Sequence, residues 1–165
     1  MKERFSGFEG DQKHREGEEG ARILHELERS GEYVFHGSPD GEIAEFEPRQ
    51  MTTRVDGNDL EDGIGIATTP RADLAIFHAL TKGRGEGDTG FGTKDDGSIQ
   101  MKASQAVLDA TKGHTAYVYV FLKSAFAPRY GDDQEMERRS EFNQKPVQVV
   151  AVTDRDLPTG INIIP

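Results

Sequence analysis

The sequence predicts an α+β domain, and three observations lead there. Its apolar residues gather near 33–36, 64–80, 116–127 and 147–164 instead of being scattered. Segments 33–36 and 115–122 are rich in β-branched and aromatic residues, the composition of strands. Segments 21–29 and 70–80 carry apolar residues at helical spacing. A length of 165 residues suits one folding unit with a real core. The expected division is a flexible N-terminal arm over 1–20 and a single domain over 21–165.

The arm is rich in Gly, Glu and Lys and shows no apolar period. In 21–29, Ile23, Leu24 and Leu27 share a helical face, and Gly31 follows where that helix should end. Segment 33–36 reads as a short strand stopped by Gly37-Ser38-Pro39. Residues 40–62 are expected to form a long surface connection anchored by Ile43, Phe46 and Met51. A second strand follows over 63–69, its glycines permitting close backbone approach. Thr69 suits an N-cap and Pro70 the first turn of a helix that turns Leu74, Phe77, His78 and Leu80 inward.

Residues 83–98 read as a flexible loop, and 99–108 as either a strand or a short helix. In 115–122, Tyr117, Tyr119 and Phe121 alternate with Val118, Val120 and Leu122. Both faces are apolar, so this strand should be central and covered on each side. A charged loop over 129–140, a last long strand over 147–152 and an edge over 161–164 complete the chain.

Composition excludes several classes of function. The formal net charge is -10 and the sequence pI about 5.0, so no broad basic face is on hand to neutralise a nucleic-acid backbone. Arg138-Arg139 and Lys82/Arg84 are the local places where a few phosphates would be met. The absence of cysteine rules out disulfides, zinc-thiolate sites and a thiol nucleophile. His14, His25, His78 and His114 show no metal-cage spacing, so no metal is expected. The charged start leads to no apolar signal-like run, and no run approaches the roughly 20 apolar residues of a membrane span. The expectation is a cytoplasmic protein with no membrane contact.

Three segments carry the chemistry. The first is the strand running into His36-Gly37-Ser38. The second is Gly65-Ile66-Ala67-Thr68-Thr69-Pro70 with the helix bearing Ala75-Ile76-Phe77. The third is Glu141, after the charged loop and before the last long strand. In this order they resemble the ADP-ribosyltransferase superfamily, on the branch whose triad reads His, Tyr, Glu, as in diphtheria toxin and the poly(ADP-ribose) polymerases. The resemblance spans 33 to about 157. It implies a split antiparallel β-sheet core with peripheral helices clasping NAD, and transfer of ADP-ribose from NAD to an acceptor with loss of nicotinamide.

The resemblance also assigns roles. His36 would hydrogen-bond a ribose hydroxyl, and Gly37 would expose backbone groups to the nicotinamide carboxamide. Phe77 stands where the family has its stacking Tyr, keeping the ring face and losing the hydroxyl; Tyr117 or Tyr119 would supply a second wall. Glu141 would stabilise the oxocarbenium-like charge that develops as the nicotinamide–ribose bond breaks, with Glu137 and Gln144 as alternative occupants. Ser38 and Thr68 would line the cofactor site, though Ser38 also suits the turn, and Arg49 would pair with the pyrophosphate. The partners implied are NAD and a macromolecular acceptor, a protein rather than a nucleic acid. NAD hydrolysis, a non-catalytic NAD or ADP-ribose module, and a toxin or effector role remain alternatives. The related RNA 2′-phosphotransferase chemistry needs several arginines around a phosphate, which fits an acidic chain less well.

Overall fold

A computed structural model describes residues 19–56, 58–129 and 135–165. The first half contains α1 (Glu19–Ser30), β1 (Tyr33–Ser38), β2 (Arg49–Val55), β3 (Asn58–Thr68) and α2 (Ala72–Thr81). Then come β4 (Thr89–Thr93), β5 (Ile99–Ser104), α3 (Gln105–Thr111) and β6 (Thr115–Leu122). The last are β7 (Ala127–Pro128), β8 (Arg138–Ser140), β9 (Gln148–Thr153) and β10 (Asn162–Ile164), with 3-10 turns at Lys123–Ala125 and Asp154–Asp156. The α+β class expected from sequence is what these elements form. Most of the arm over 1–20 lies outside the described residues, and α1 already begins at Glu19.

The strands fall into sheets ordered β1-β6-β9, β10-β5-β4 and β2-β3-β8-β7. Pairing is antiparallel except between β10 and β5. The central position of β6 follows from its two apolar faces. Val118 and Val120 pack with Leu24, Phe35, Ala75, Ile76, Ala79 and Val152 under α1 and α2. Tyr119 and Phe121 point the other way, into a cluster with Val34, Phe46, Ile66 and Phe126. A third cluster, with Leu74, Phe77, Met101, Ala103 and Val107, joins α2 to β5 and α3.

Helix α2 therefore has no solvated face of any width, and it lies very close to β1. A Cβ on Gly37 would run into the carbonyl oxygen of Ala75 and stand 2.6 Å from the amide nitrogen of Ala79. Glycine on the strand and alanines on the helix are what let the two backbones approach. Helix α1 braces the arrangement: Glu28 Oε1 accepts from the Ala72 amide at 2.8 Å, and His25 Nε2 lies 2.6 Å from Asp73 Oδ1. At the other end of α1, the buried Asp156 carboxylate accepts from the amides of Ala21 (2.9 Å) and Thr153 (2.8 Å). A carboxylate at a helix N-terminus satisfies otherwise orphaned donors.

Several local expectations are corrected. Helix α2 starts at Ala72, not Pro70, and its N-cap residue Arg71 makes no side-chain cap. The capping acceptor comes from Glu28, far away in sequence, while Thr69 Oγ1 accepts only from the Arg71 amide. The supposed connection over 40–62 contains β2 and the start of β3. That hairpin leaves Leu60 and Ile64 exposed, so it shows no apolar alternation to read. The supposed loop over 83–98 contains β4, paired along its length with β5; its glycines hid the strand. Segment 99–108 is a strand and then a helix, and the charged loop over 129–140 ends in β8. Among the described residues, no helix is long and apolar enough to cross a membrane.

The contact at Gly37 makes a direct prediction. Gly37→Ala forces a methyl into backbone atoms that have no room to retreat, and it should destabilise the protein by about 1–3 kcal/mol. Urea unfolding of the two proteins measures this; equal midpoints would contradict the close helix–strand contact.

Candidate functional site

The site is built where β1 and β3 part company. Phe35 donates its N–H to Thr69 O at 2.8 Å and accepts from Thr69 N at 2.9 Å. These groups point away from β6, because successive residues of a strand direct their amides to opposite sides. Gly37, two residues on, directs its N–H and C=O to the same side. The next rung of a β1–β3 ladder would join Gly37 to Ala67, but the Phe35–Thr69 bridge is isolated and that rung is not formed. The carbonyl of Ala67 is taken instead by His36 Nδ1, at 2.8 Å. A side chain thus replaces a backbone donor. The Gly37 amide edge is left facing the gap.

A carbonyl only accepts, so His36 Nδ1 carries the proton and Nε2 is the acceptor nitrogen of the neutral ring. Burial pushes the His36 pKa below its ordinary value; the bond to Ala67 opposes this, and the charges of Lys82 and Arg49 add to the lowering. Among the described residues, no carboxylate is one of these causes. The edge of Phe46 packs on the imidazole at 5.0 Å. Phe46 is in turn held by backbone bonds to Gln144 at 2.8 and 2.9 Å, which places the segment after β8 behind the His36 ring.

Helix α2 lines the gap with His78. Burial pulls its pKa down to about 4, with His36 and Lys82 contributing in that order. The two imidazoles are therefore close enough to feel each other, and both are neutral at pH 7. His78 also meets the ring of Phe91, on β4, at 5.0 Å and an interplanar angle of 89°. Lys82 follows directly after α2 and Arg49 opens β2. Within a chain of net charge -10, Lys82 and Arg49 are thus the cations whose charges act on His36.

The structure brings His36, Gly37 and the end of β3 together, as the sequence suggests. Other candidates sit elsewhere. Phe77 is 1% exposed and packs in the cluster of Leu74, Met101, Ala103 and Val107. Its ring faces are occupied by the core, and the aromatic ring that α2 turns toward His36 is the next residue, His78. Ser38 Oγ accepts from the Asp40 amide at 3.1 Å, and Thr68 Oγ1 donates to Arg138 O at 2.9 Å; both hydroxyls are engaged in local structure. Tyr119 is fully buried, its hydroxyl donating to Asp40 O and accepting from the Ile43 amide. Tyr117 lies against Gly41.

Glu141 is exposed immediately after β8, with Ser140 paired to Ile66, next to Ala67. Its turn is held from inside: Ser140 Oγ accepts from Gln144 Nε2 at 2.9 Å and from the Phe142 amide at 3.3 Å. Among the described residues no bond links Glu141 to His36. Glu137 belongs to an ion network in which Arg139 and Arg129 reach both it and Asp62. Arg139 is thereby held by carboxylates, and Arg138 Nε donates to Phe126 O. His78, read from sequence only as an inward-facing helix residue, and Phe91 were not among the expected site residues. The signal for His78 was its place one residue past Phe77 on the same helix, whereas nothing local marks Phe91.

No protein-family model, curated protein or solved structure matches this chain.

The depressed histidines set a pH dependence. Unfolded His78 takes a proton near pH 6.5, whereas the folded state resists until about 4. Stability is therefore complete above about 6.5 and falls as pH drops toward 4, by on the order of 3 kcal/mol for this one group. Urea-unfolding free energies measured from pH 7.5 to 4.5 should decline more steeply for wild type than for His78→Gln. Parallel curves would show that His78 is not buried as a neutral ring.

Proposed function

We propose that the chain is an NAD-dependent mono-ADP-ribosyltransferase, and the observation that carries this is the open amide edge of Gly37 beside a neutral His36. A backbone N–H and C=O presented side by side match the C=O and NH₂ of a primary carboxamide, the group nicotinamide carries. Burying such a pair unsatisfied costs about 1–3 kcal/mol per group, and a bound amide recovers it. With Nδ1–H committed to Ala67, His36 Nε2 is the acceptor for a ribose hydroxyl. His78 takes the role on α2 that the resemblance assigned to Phe77. Lys82 and Arg49, whose charges act on His36, would neutralise a pyrophosphate.

In this reading the bond between the nicotinamide nitrogen and the ribose anomeric carbon breaks, and its electron pair leaves with nicotinamide. The positive charge left on the sugar is stabilised by a carboxylate near the 2′-hydroxyl, for which Glu141 is the candidate. The acceptor nucleophile bonds to the same carbon, and its proton passes to a base. The acceptor is a macromolecule, a protein in preference to a nucleic acid given the acidic chain. If water is the acceptor, the product is free ADP-ribose.

One observation favours a second reading, a module that binds NAD or ADP-ribose without turning it over. Glu141 is exposed, and no carboxylate acts on His36. Incubation with NAD followed by chromatography of free nicotinamide decides between the two. A transferase releases nicotinamide, and Glu141→Gln lowers the rate by about 100-fold or more. Intact NAD with measurable binding in both proteins makes the chain a module. Release that Glu141→Gln leaves unchanged assigns the carboxylate role to another residue.

A further inference from the structure

We infer that Asp62 is a positioning residue for the proposed transfer, because through Arg139 it fixes the register of the strand that leads into Glu141. This rests on the transferase reading above, in which Glu141 supplies the carboxylate. Strands β3 and β8 share three register pairs, Ile66 with Ser140, Ala67 with Arg139 and Thr68 with Arg138. So short a ladder is poorly held by its backbone bonds alone. A slip of one residue would turn the side chains of β8 to the other face and carry Glu141 with them. Ala67 is also the residue whose carbonyl holds His36 Nδ1, at 2.8 Å. Arg139 stands opposite it, where a clamp secures both.

The clamp reaches along β3 to Asp62. Arg139 donates from one terminal guanidinium nitrogen to the Asp62 carbonyl and from the other to its carboxylate, both at 2.7 Å. Five residues separate Asp62 from Ala67, roughly 16 Å along a straight strand. Gly63 shortens that path: its φ of +83° bends β3 just after Asp62, in a left-handed conformation that favours glycine. Glu137, just ahead of β8, holds the same guanidinium at 2.9 Å. Arg129 adds a second guanidinium to the Asp62 carboxylate, at 2.8 Å. The Arg139 and Asp62 side chains are 19% and 26% exposed, so water screens this pair less than an ion pair on open surface.

The clamp governs both partners of the proposed chemistry. Ser140, the residue after Arg139, holds the Glu141 turn through the Phe142 amide and the Gln144 side chain. Gln144 exchanges backbone bonds with Phe46, and the edge of Phe46 packs on the His36 ring. A shift of β8 therefore moves Glu141 and the ring behind His36 together.

The test is a double-variant cycle on nicotinamide release from NAD, with Asp62→Asn, Glu141→Gln and the two combined. Asp62→Asn should lower kcat by about 10- to 100-fold and leave KM within about twofold. In the Glu141→Gln background it should cost nothing more, because the carboxylate it positions is gone. Additive losses overturn the role, and so does a rise in KM at unchanged kcat. Amide hydrogen exchange reads the same register without activity. Phe46 and Gln144 should exchange about tenfold faster or more in Asp62→Asn, with Val118 and Val120 unchanged. Equal acceleration of all four makes Asp62 a general stabiliser and overturns the role. Should Asp62→Asn not fold, Arg139→Lys keeps the positive charge, loses the two-point grip and goes through the same cycle. Wild type that releases no nicotinamide removes transfer and this role together, whereas additivity removes the role alone.

Discussion

Helix α2 rests on β1 at Gly37 with almost nothing between the two backbones, and much of the molecule is arranged around that contact. A strand residue with any side chain would lift the helix away from the sheet. Ala72, Ala75 and Ala79 keep the helix side equally thin, while Leu74 and Phe77 fill the space toward β5 and α3. Helix α1 holds the start of α2 through Glu28, and Asp156 holds the start of α1. The close approach brings His78 beside the end of β1, and so beside His36. Packing and site geometry are here one constraint.

The second feature is a hydrogen bond that the sheet gives up. Continuing the β1–β3 pairing would join Gly37 to Ala67 and close the gap. The imidazole of His36 takes the Ala67 carbonyl instead, so β3 can leave for its own sheet without an orphaned acceptor. Among the described residues, the groups left without a partner here are those of Gly37, at a place where burial makes them costly. Structures commonly tolerate such a cost where a ligand removes it. The neutral state of both histidines belongs to the same arrangement, because burial and Lys82 oppose protonation of each, and Arg49 that of His36.

Charge is divided in a consistent way. The acidic excess of the chain is used on surfaces and in the Asp62, Glu137, Arg129 and Arg139 network, which ties β3 to β8. Arg138 and Arg139, which composition alone offers to phosphates, are thus already committed to carboxylates. Lys82, offered in the same way, and Arg49 instead act on His36.

Local patterning of residues reveals those elements whose pattern reflects their own burial. Strand β6 is legible because both its faces are apolar, α1 because Leu24 and Leu27 share a face ahead of Gly31, and the His36-Gly37 turn because of its position after an apolar strand. Long-range packing settles what depends on partners distant in the chain. It set the start of α2 through Glu28 and formed β4 by pairing it with β5, although Gly90 and Gly92 mask it locally. It also set the turn of the helix that buries Phe77 and presents His78. Adjacent helical residues point about 100° apart, so spacing identifies an aromatic helix but not which ring the neighbouring sheets will cover. The gap at Gly37 is of the same kind. It exists because β3 departs after one bridge, a fact of three-dimensional pairing that no local run of residues records.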